Sequence, residues 1–335
     1  MLRLQRCLAC ILLLRTPTLV ESSMKTFIRV VEVWVPSHDR SYLEYSSGLY
    51  SSANRFGAAS GSRCFGRGEG LPGQAWEQGQ PIVLKQFEGS YFQRTKAAQA
   101  DGLTCGIAVP IFAGDFLTSV LVMFCGDDDQ HAGAIELWHN DPAQGADMAL
   151  VDGYYGSMSD AFELISRSVS FRRGNGLPGV AWELGGPVFM EDLGRSDRFL
   201  RAETALKVGI NRGFAFPCAT PREETFVMTF LSALGTPIAR RCEFWDPDTT
   251  RQTLSCGGGF CEVDGRVEAS PAVLLERGQG TIGRLLLTGV PTVTSSAVDE
   301  PAGIGTMAAR TGLHALAAIP ILRDGRLVSV VALYF

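Results

Sequence analysis

One glycine-rich pattern, written three times, limits what this chain can fold into. Residues 174–187 read GNGLPGVAWELGGP, residues 68–81 read GEGLPGQAWEQGQP, and residues 278–291 read GQGTIGRLLLTGVP. Successive copies lie 106 and 104 residues apart, the length of a small domain. A second pattern keeps the same step. Glu32-Val33-Trp34, Glu136-Leu137-Trp138 and Glu243-Phe244-Trp245 are spaced by 104 and 107 residues. The spacing predicts three tandem domains, over residues 24–131, 132–238 and 239–335, the third degenerate or truncated.

Within each repeat the Glu-apolar-Trp segment reads as a strand, with Glu and Trp on one face and the middle residue on the other. Turn residues follow, among them Pro36-Ser37-His38-Asp39 and Asp246-Pro247-Asp248, so a hairpin is expected. A short helix comes next: over 51–59, over 160–167 with Ser157 or Ser159 as its cap, and over 272–276 behind Pro271. After the glycine pattern, Pro72 and Pro178 start a helical turn that Gly79 and Gly185 stop. A short apolar strand, a helical segment seen best from Asp197 to Lys207, and two closing strands complete the unit. Pro110, Pro217 and Pro320 fall at one point of the first closing strand. The order β-β-α-turn-β-α-β-β argues an α+β fold, an antiparallel sheet of about five strands with helices packed on it.

These residues together resemble the GAF domain family. The resemblance rests on G-x-G-L-P-G-x-A-W-E-x-G-x-P, on Glu191-Asp192-Leu193, on Phe199-x-Arg201-Ala202 with Ala205 and Gly209, and on Phe214-Ala215-Phe216-Pro217. It is most specific in the second repeat, good in the first and moderate in the third. The resemblance implies a ligand pocket between the sheet and the helices on one face, and a role in regulating a partner or an attached output domain. The Asn-Lys-x-Phe-Asp-Glu signature of cyclic-nucleotide-binding members is missing. So are a Cys-His pair for bilin attachment and the cysteine cluster of free-methionine-sulfoxide reductases. The connectors are too short for the long signalling helix that joins many tandem members.

The family's pocket wall corresponds here to Asp192, Arg198, Phe199 and Arg201 in the second repeat and to Phe92 and Arg94 in the first. Arginine there suits an anionic ligand, with surface helix charge as the alternative. Trp76 and Trp182 either stack on a planar ligand or anchor a short helix to the core, where burying an aromatic is worth about 1.5–3 kcal/mol. Trp34, Trp138 and Trp245 are expected to pack at the joints between repeats. All three copies satisfy the dinucleotide fingerprint G-x-G-x-x-G, but no long βαβ unit follows, so a structural turn is the expected reading.

A net charge of −5 implies no basic surface for nucleic acid or anionic lipid. Nine cysteines form no paired framework and fit free, mostly buried thiols in the cytoplasm; Cys256 and Cys261 are read as two free thiols. His38, His131, His139 and His314 have no metal spacing, and Asp127-Asp128-Asp129 reads as a solvated linker. No nucleophile–base–orienter set is supported by spacing. Residues 1–23 hold a short apolar run behind Arg3 and Arg6 and read as an N-terminal extension or misassigned start, with a targeting segment as the alternative. The expectation is a cytoplasmic, non-catalytic sensory module that binds an unidentified small molecule and a protein partner or itself, with no membrane or nucleic-acid partner and no cofactor named. A ligand-free scaffold and a thiol-based redox enzyme are the alternatives.

Overall fold

The computed structural model describes residues 25–126, 133–156 and 160–335. The expectations for residues 1–23, for Asp127-Asp128-Asp129 and His131, and for a cap at Ser157 or Ser159 lie outside the described residues.

The first unit runs β1 (Ile28–Pro36), β2 (Tyr42–Leu49), α1 (Asn54–Ser60), β3 (Cys64–Gly66), α2 (Gly70–Gln78), β4 (Ile82–Leu84), α3 (Thr95–Ala100), β5 (Cys105–Ala113) and β6 (Phe116–Cys125). The second repeats it as β7 (Gly133–Asn140), β8 (Met148–Tyr154), α4 (Asp160–Ser168), β9 (Ser170–Phe171), α5 (Gly176–Leu184), β10 (Val188–Met190), α6 (Ala202–Lys207), β11 (Ile210–Cys218) and β12 (Thr225–Ala233). The third runs β13 (Arg241–Asp248), β14 (Thr253–Cys261), β15 (Gly265–Val267), β16 (Ser270–Glu276), α7 (Gly280–Gly283), α8 (Leu285–Thr288), β17 (Thr292–Thr294), α9 (Ile304–Thr311), β18 (Leu316–Arg323) and β19 (Arg326–Tyr334).

Each unit forms one antiparallel sheet, and the three sheets share one order: β3-β2-β1-β6-β5-β4, β9-β8-β7-β12-β11-β10 and β15-β14-β13-β19-β18-β17. The sheets have six strands, and the third has a seventh, β16, on β14. The expected five omitted the short strand ahead of each glycine turn. The helix expected over 272–276 is a strand instead. Leu274 and Leu275 pair with Ser255 and Leu254 of β14, and Leu275 is fully buried there. The segment from Asp197 to Arg201 is a chain of turns, and helix begins only at Ala202. Each Glu-x-Trp strand meets its return strand across a β-bulge, at Val33/Trp34, Leu137/Trp138 and Phe244/Trp245.

The glycine turn is structural. Gly68 and Gly70 have φ of 80° and 57°, as do Gly174 and Gly176 at 85° and 67°. The N–H of Gly68 donates to the carbonyl of Gly73 at 2.8 Å, and Gly174 donates to Gly179 and Gly278 to Gly283 at the same distance. A Cβ on Gly73 would collide with the carbonyl of Gly66, so only glycine lets the helix start so close to the strand before it. Gly79 and Gly185 end the helices in the left-handed conformation, as expected.

Strand alternation buries both faces of each sheet. On one face, Val30, Trp34, Ala108, Val120, Val122 and Phe124 pack under the first unit's own helices. On the other, Val31, Ile107, Val109, Ile111, Leu121 and Met123 join a core shared by all three units, with Phe214, Phe216, Met228 and Phe230 of the second and Ile319, Ile321, Val331 and Leu333 of the third. Strands β5, β11 and β18 touch pairwise. They carry Pro110, Pro217 and Pro320, which line one narrow seam at the centre. Around that seam the units meet head to tail: β4 touches β7 and β8, Phe189 of β10 stacks on Phe260 of β14 with centroids 5.4 Å apart, and β17 touches β2. The ring closes on itself. Trp34, Trp138 and Trp245 do not sit at these joints. Alternation turns them to the helix side, where each is buried in its own unit.

Candidate functional site

The face between sheet and helices holds a buried ion pair in each of the first two units. Glu32 and Arg94 are 0% and 3% exposed, and Glu136 and Arg201 likewise. Arg94 donates through Nη1 to Glu32 Oε1 at 2.6 Å and through Nη2 to Oε2 at 2.9 Å. Trp34 Nε1 donates to Oε2 at 3.1 Å, and the Tyr50 hydroxyl to Oε1 at 3.2 Å. Arg94 also reaches Ser60 Oγ of α1. The second unit repeats every contact. Arg201 pairs with both oxygens of Glu136, Trp138 Nε1 and Tyr155 each donate to that carboxylate at 3.1 Å, and Arg201 reaches Ser166 of α4. Burial pushes the Tyr50 and Tyr155 hydroxyls up, with a further push from the neighbouring glutamate, so both stay protonated and donate.

Aromatic rings enclose each guanidinium. Phe56 lies 4.3 Å from Arg94, with Phe124, Trp34 and Phe92 at 5.3–5.6 Å; Phe162, Phe199 and Trp138 lie 5.1–5.4 Å from Arg201. The bidentate pair inside an aromatic box fills the space where the family resemblance puts a ligand. The third unit lacks the arginine on that loop and rebuilds the network from elsewhere. Arg241, on the same strand, pairs with Glu243 at 2.6 Å; Trp245 Nε1 donates at 3.1 Å and Tyr334 of β19 at 2.7 Å.

Of the residues named from sequence, the structure gathers Phe92 with Arg94 in one unit and Phe199 with Arg201 in the next, all buried. Surface charge is therefore not the role of Arg201. Trp76 and Trp182 are half-buried and pack against their units' cores. Arg198 is exposed. Asp192 accepts from Gly194 N at 3.1 Å and Asn211 at 3.3 Å, and lines a groove of about 670 Å³ at the joint of the second and third units. Glu32 and Glu136 were expected only as strand residues, and Ser60, Ser166, Tyr50 and Tyr155 were not among the expected site residues. The pattern Phe-x-x-x-Ser, at Phe56 to Ser60 and Phe162 to Ser166, accompanies Phe-x-Arg in the same two repeats, and that pairing was the available signal.

Another cavity lies at the joint of the third and first units. It holds about 890 Å³ and is lined by Arg29, Tyr50 and Leu49 from one side and Thr236, Arg240 and His314 from the other. Arg29 and Arg240 stand three residues before Glu32 and Glu243, and each ties down the end of a helix in its own unit. Arg29 donates to Gly102 O at 3.0 Å, and Arg240 to Gly312 O at 2.6 Å and Thr311 O at 3.2 Å. The first joint is closed differently, by Lys85 and Asp152 at 2.7 Å, and the second by Arg212 and Glu262 at 3.0 Å. Five of the described thiols offer little chemistry. Burial pushes Cys105, Cys125, Cys242 and Cys256 up and Cys218 up to about 12, away from the thiolate form. Among the described residues no cluster of His, Cys, Asp and Glu is arranged for a metal, and no helix is long and apolar enough to cross a membrane.

No family model matches the sequence, and no curated protein matches it. Solved structures similar to part of the chain include the GAF domain of A. aeolicus NlH2 in an inactive state, at 20% identity over 31% of this chain, with a TM-score of 0.25. Another is the free methionine-R-sulfoxide reductase from Neisseria meningitidis in complex with its substrate, at 17% identity over 31% of this chain and a TM-score of 0.24. A third is the GAF domain of a phosphoenolpyruvate-protein phosphotransferase from Coxiella burnetii, at 19% identity over 29% of this chain and a TM-score of 0.25. The chain spans 60%, 57% and 56% of the lengths of these three.

Proposed function

We propose that this chain is a non-catalytic regulatory module, in which a small molecule bound at a joint between GAF-like units biases how the ring of units closes and so alters its contact with a protein partner. One observation carries the reading. A cavity of about 890 Å³ lies between the first and third units, which are not consecutive in the chain. A ligand there touches the first unit, the third unit and, at Thr236, the connector that leads from the second to the third, and coupling of about 1–3 kcal/mol suffices for regulation. The aromatic boxes around Arg94 and Arg201 are occupied by the protein's own side chains, so the ligand belongs at the joint. Free, buried thiols fit the cytoplasm. Native mass spectrometry of the full chain, purified gently, tests the reading. The expected result is a reproducible added mass that is lost on denaturation. A bare polypeptide mass sinks it and favours the second reading, a scaffold, which the filled boxes and the shared central core support.

A further inference from the structure

We infer that the cavity between the third and first units is an anion site, built to hold an organic phosphate or carboxylate. The inference rests on the ligand-binding reading above and names the chemistry of its ligand. The chain carries a net charge of −5, yet Lys25, Arg29, Arg240 and His314 line this one cavity, and among the described residues no aspartate or glutamate side chain does. The groove at the second joint, by contrast, mixes Glu191, Asp192 and Glu268 with Arg195 and Arg266. Among the described residues neither Arg29 nor Arg240 is paired with a carboxylate. Their partners among those residues are carbonyls and the Ser52 hydroxyl, which carry no negative charge and leave several N–H groups of each guanidinium unspent.

Two buried polar atoms in the same wall have no partner, Nε of Arg240 and Oγ1 of Thr236, and Thr236 is only 3% exposed. Unpaired buried polar atoms cost stability unless something completes them, and an anion seated against this wall would accept from both. Val31, Leu49, Tyr50 and Phe335 add an apolar part to the wall, beside the hydroxyls of Thr26, Ser51, Ser52 and Ser295. Its volume of about 890 Å³ suits a metabolite with an anionic head and an apolar body rather than a bare ion, since pockets for such ligands run about 300–1,000 Å³. The architecture explains why the site falls at this joint alone. The first joint has Lys85 opposite Asp152; the corresponding repeat positions at the third are Ser295 and Ser47, and among the described residues no ion pair crosses it.

Calorimetric titration of the full chain tests the inference, with phenyl phosphate and benzoate as probes and benzyl alcohol as the neutral counterpart. At least one anion is expected to bind and the alcohol not to; which anion binds separates a phosphate head from a carboxylate head. Arg240→Gln is expected to weaken binding about tenfold or more, the loss that goes with one charge-assisted bond. Thr236→Val removes no hydrogen bond of the protein, so it keeps the fold and carries the test if Arg240→Gln does not. It is expected to weaken binding several-fold, while Lys85→Met at the first joint leaves it unchanged. Failure of both anions to bind, or equal binding by Thr236→Val and the unaltered chain, overturns the inference. A neutral or cationic molecule retained in native mass spectrometry would overturn the anion assignment and leave the regulatory reading standing. A bare mass together with no anion binding would remove both.

Discussion

At the scale of single residues, the buried pairs make the sharpest test of how the units are held. Glu136 is fully buried, and its carboxylate collects Arg201, Trp138 and Tyr155. Removing one member of such a pair strands a charge without water. Arg201→Met should therefore lower stability by about 3–5 kcal/mol. Joining it to Glu136→Leu removes the stranded charge as well, so the double variant should lose less than the sum of the two single changes. Denaturant unfolding of the four proteins measures this directly, and additive losses would show that the pair is not coupled. The thiols give a second residue-scale prediction. Cys64 is exposed and the other six described cysteines are buried. Iodoacetamide at neutral pH should thus modify Cys64 alone among them, read by peptide mass spectrometry. Rapid labelling of Cys105 or Cys218 in the native protein would contradict their burial.

At the scale of elements, the glycine turn shows which parts of the pattern are obligatory. Gly73, in the first turn of its helix, lies against the carbonyl of Gly66, and a methyl there has nowhere to go, because the neighbour is backbone. Gly73→Ala should displace the helix or the strand and cost about 1–3 kcal/mol, the range of overpacking. Gly61 is the control: its φ is −62° and nothing lies within 4 Å of a Cβ built on it. Gly61→Ala should leave the melting temperature unchanged or raise it slightly. Equal losses at both positions would mean that the turn matters less than its repetition suggests.

The same elements show what the sequence discloses. The turn, its capping glycines and the paired strands were legible because each depends on local chemistry: positive φ, period-two alternation and proline at one point of the strand. The Glu-x-Trp strand was legible as a strand but not as a clamp. Its arginine lies 62 residues on in the first unit and 65 in the second, and nothing local ties the two together. The third unit misled for a related reason. Pro271 before Ala272 reads as a helix start, but the long β14 offers Ser255 and Leu254 as partners, and pairing prevails over local preference. The joint cavity was illegible altogether, since Arg29, Thr236 and His314 come from distant stretches that only the closed ring brings together.

At the scale of the whole molecule, the arrangement departs from a string of independent domains. Each sheet has two buried faces, and one of them is completed only by the other two units. Leu121 and Met123 of the first, Phe214 and Met228 of the second, and Ile319 and Val331 of the third belong to one apolar cluster. A unit taken alone would present that face to water. For the third unit this exposes Ala317, Ile319, Ile321, Val331 and Leu333, a contiguous row on β18 and β19. Burying each large aliphatic side chain is worth about 1.5–3 kcal/mol, so the loss is comparable to the whole stability of a small domain, about 5–15 kcal/mol. Residues 239–335 expressed alone should accordingly self-associate or fail to fold, as seen by sedimentation and circular dichroism. The full chain should unfold in one cooperative transition, because no unit can leave the ring without uncovering the other two. A folded, monodisperse monomer of residues 239–335 would show that the central cluster is dispensable, and that the units are beads on a chain whose joints carry no coupling.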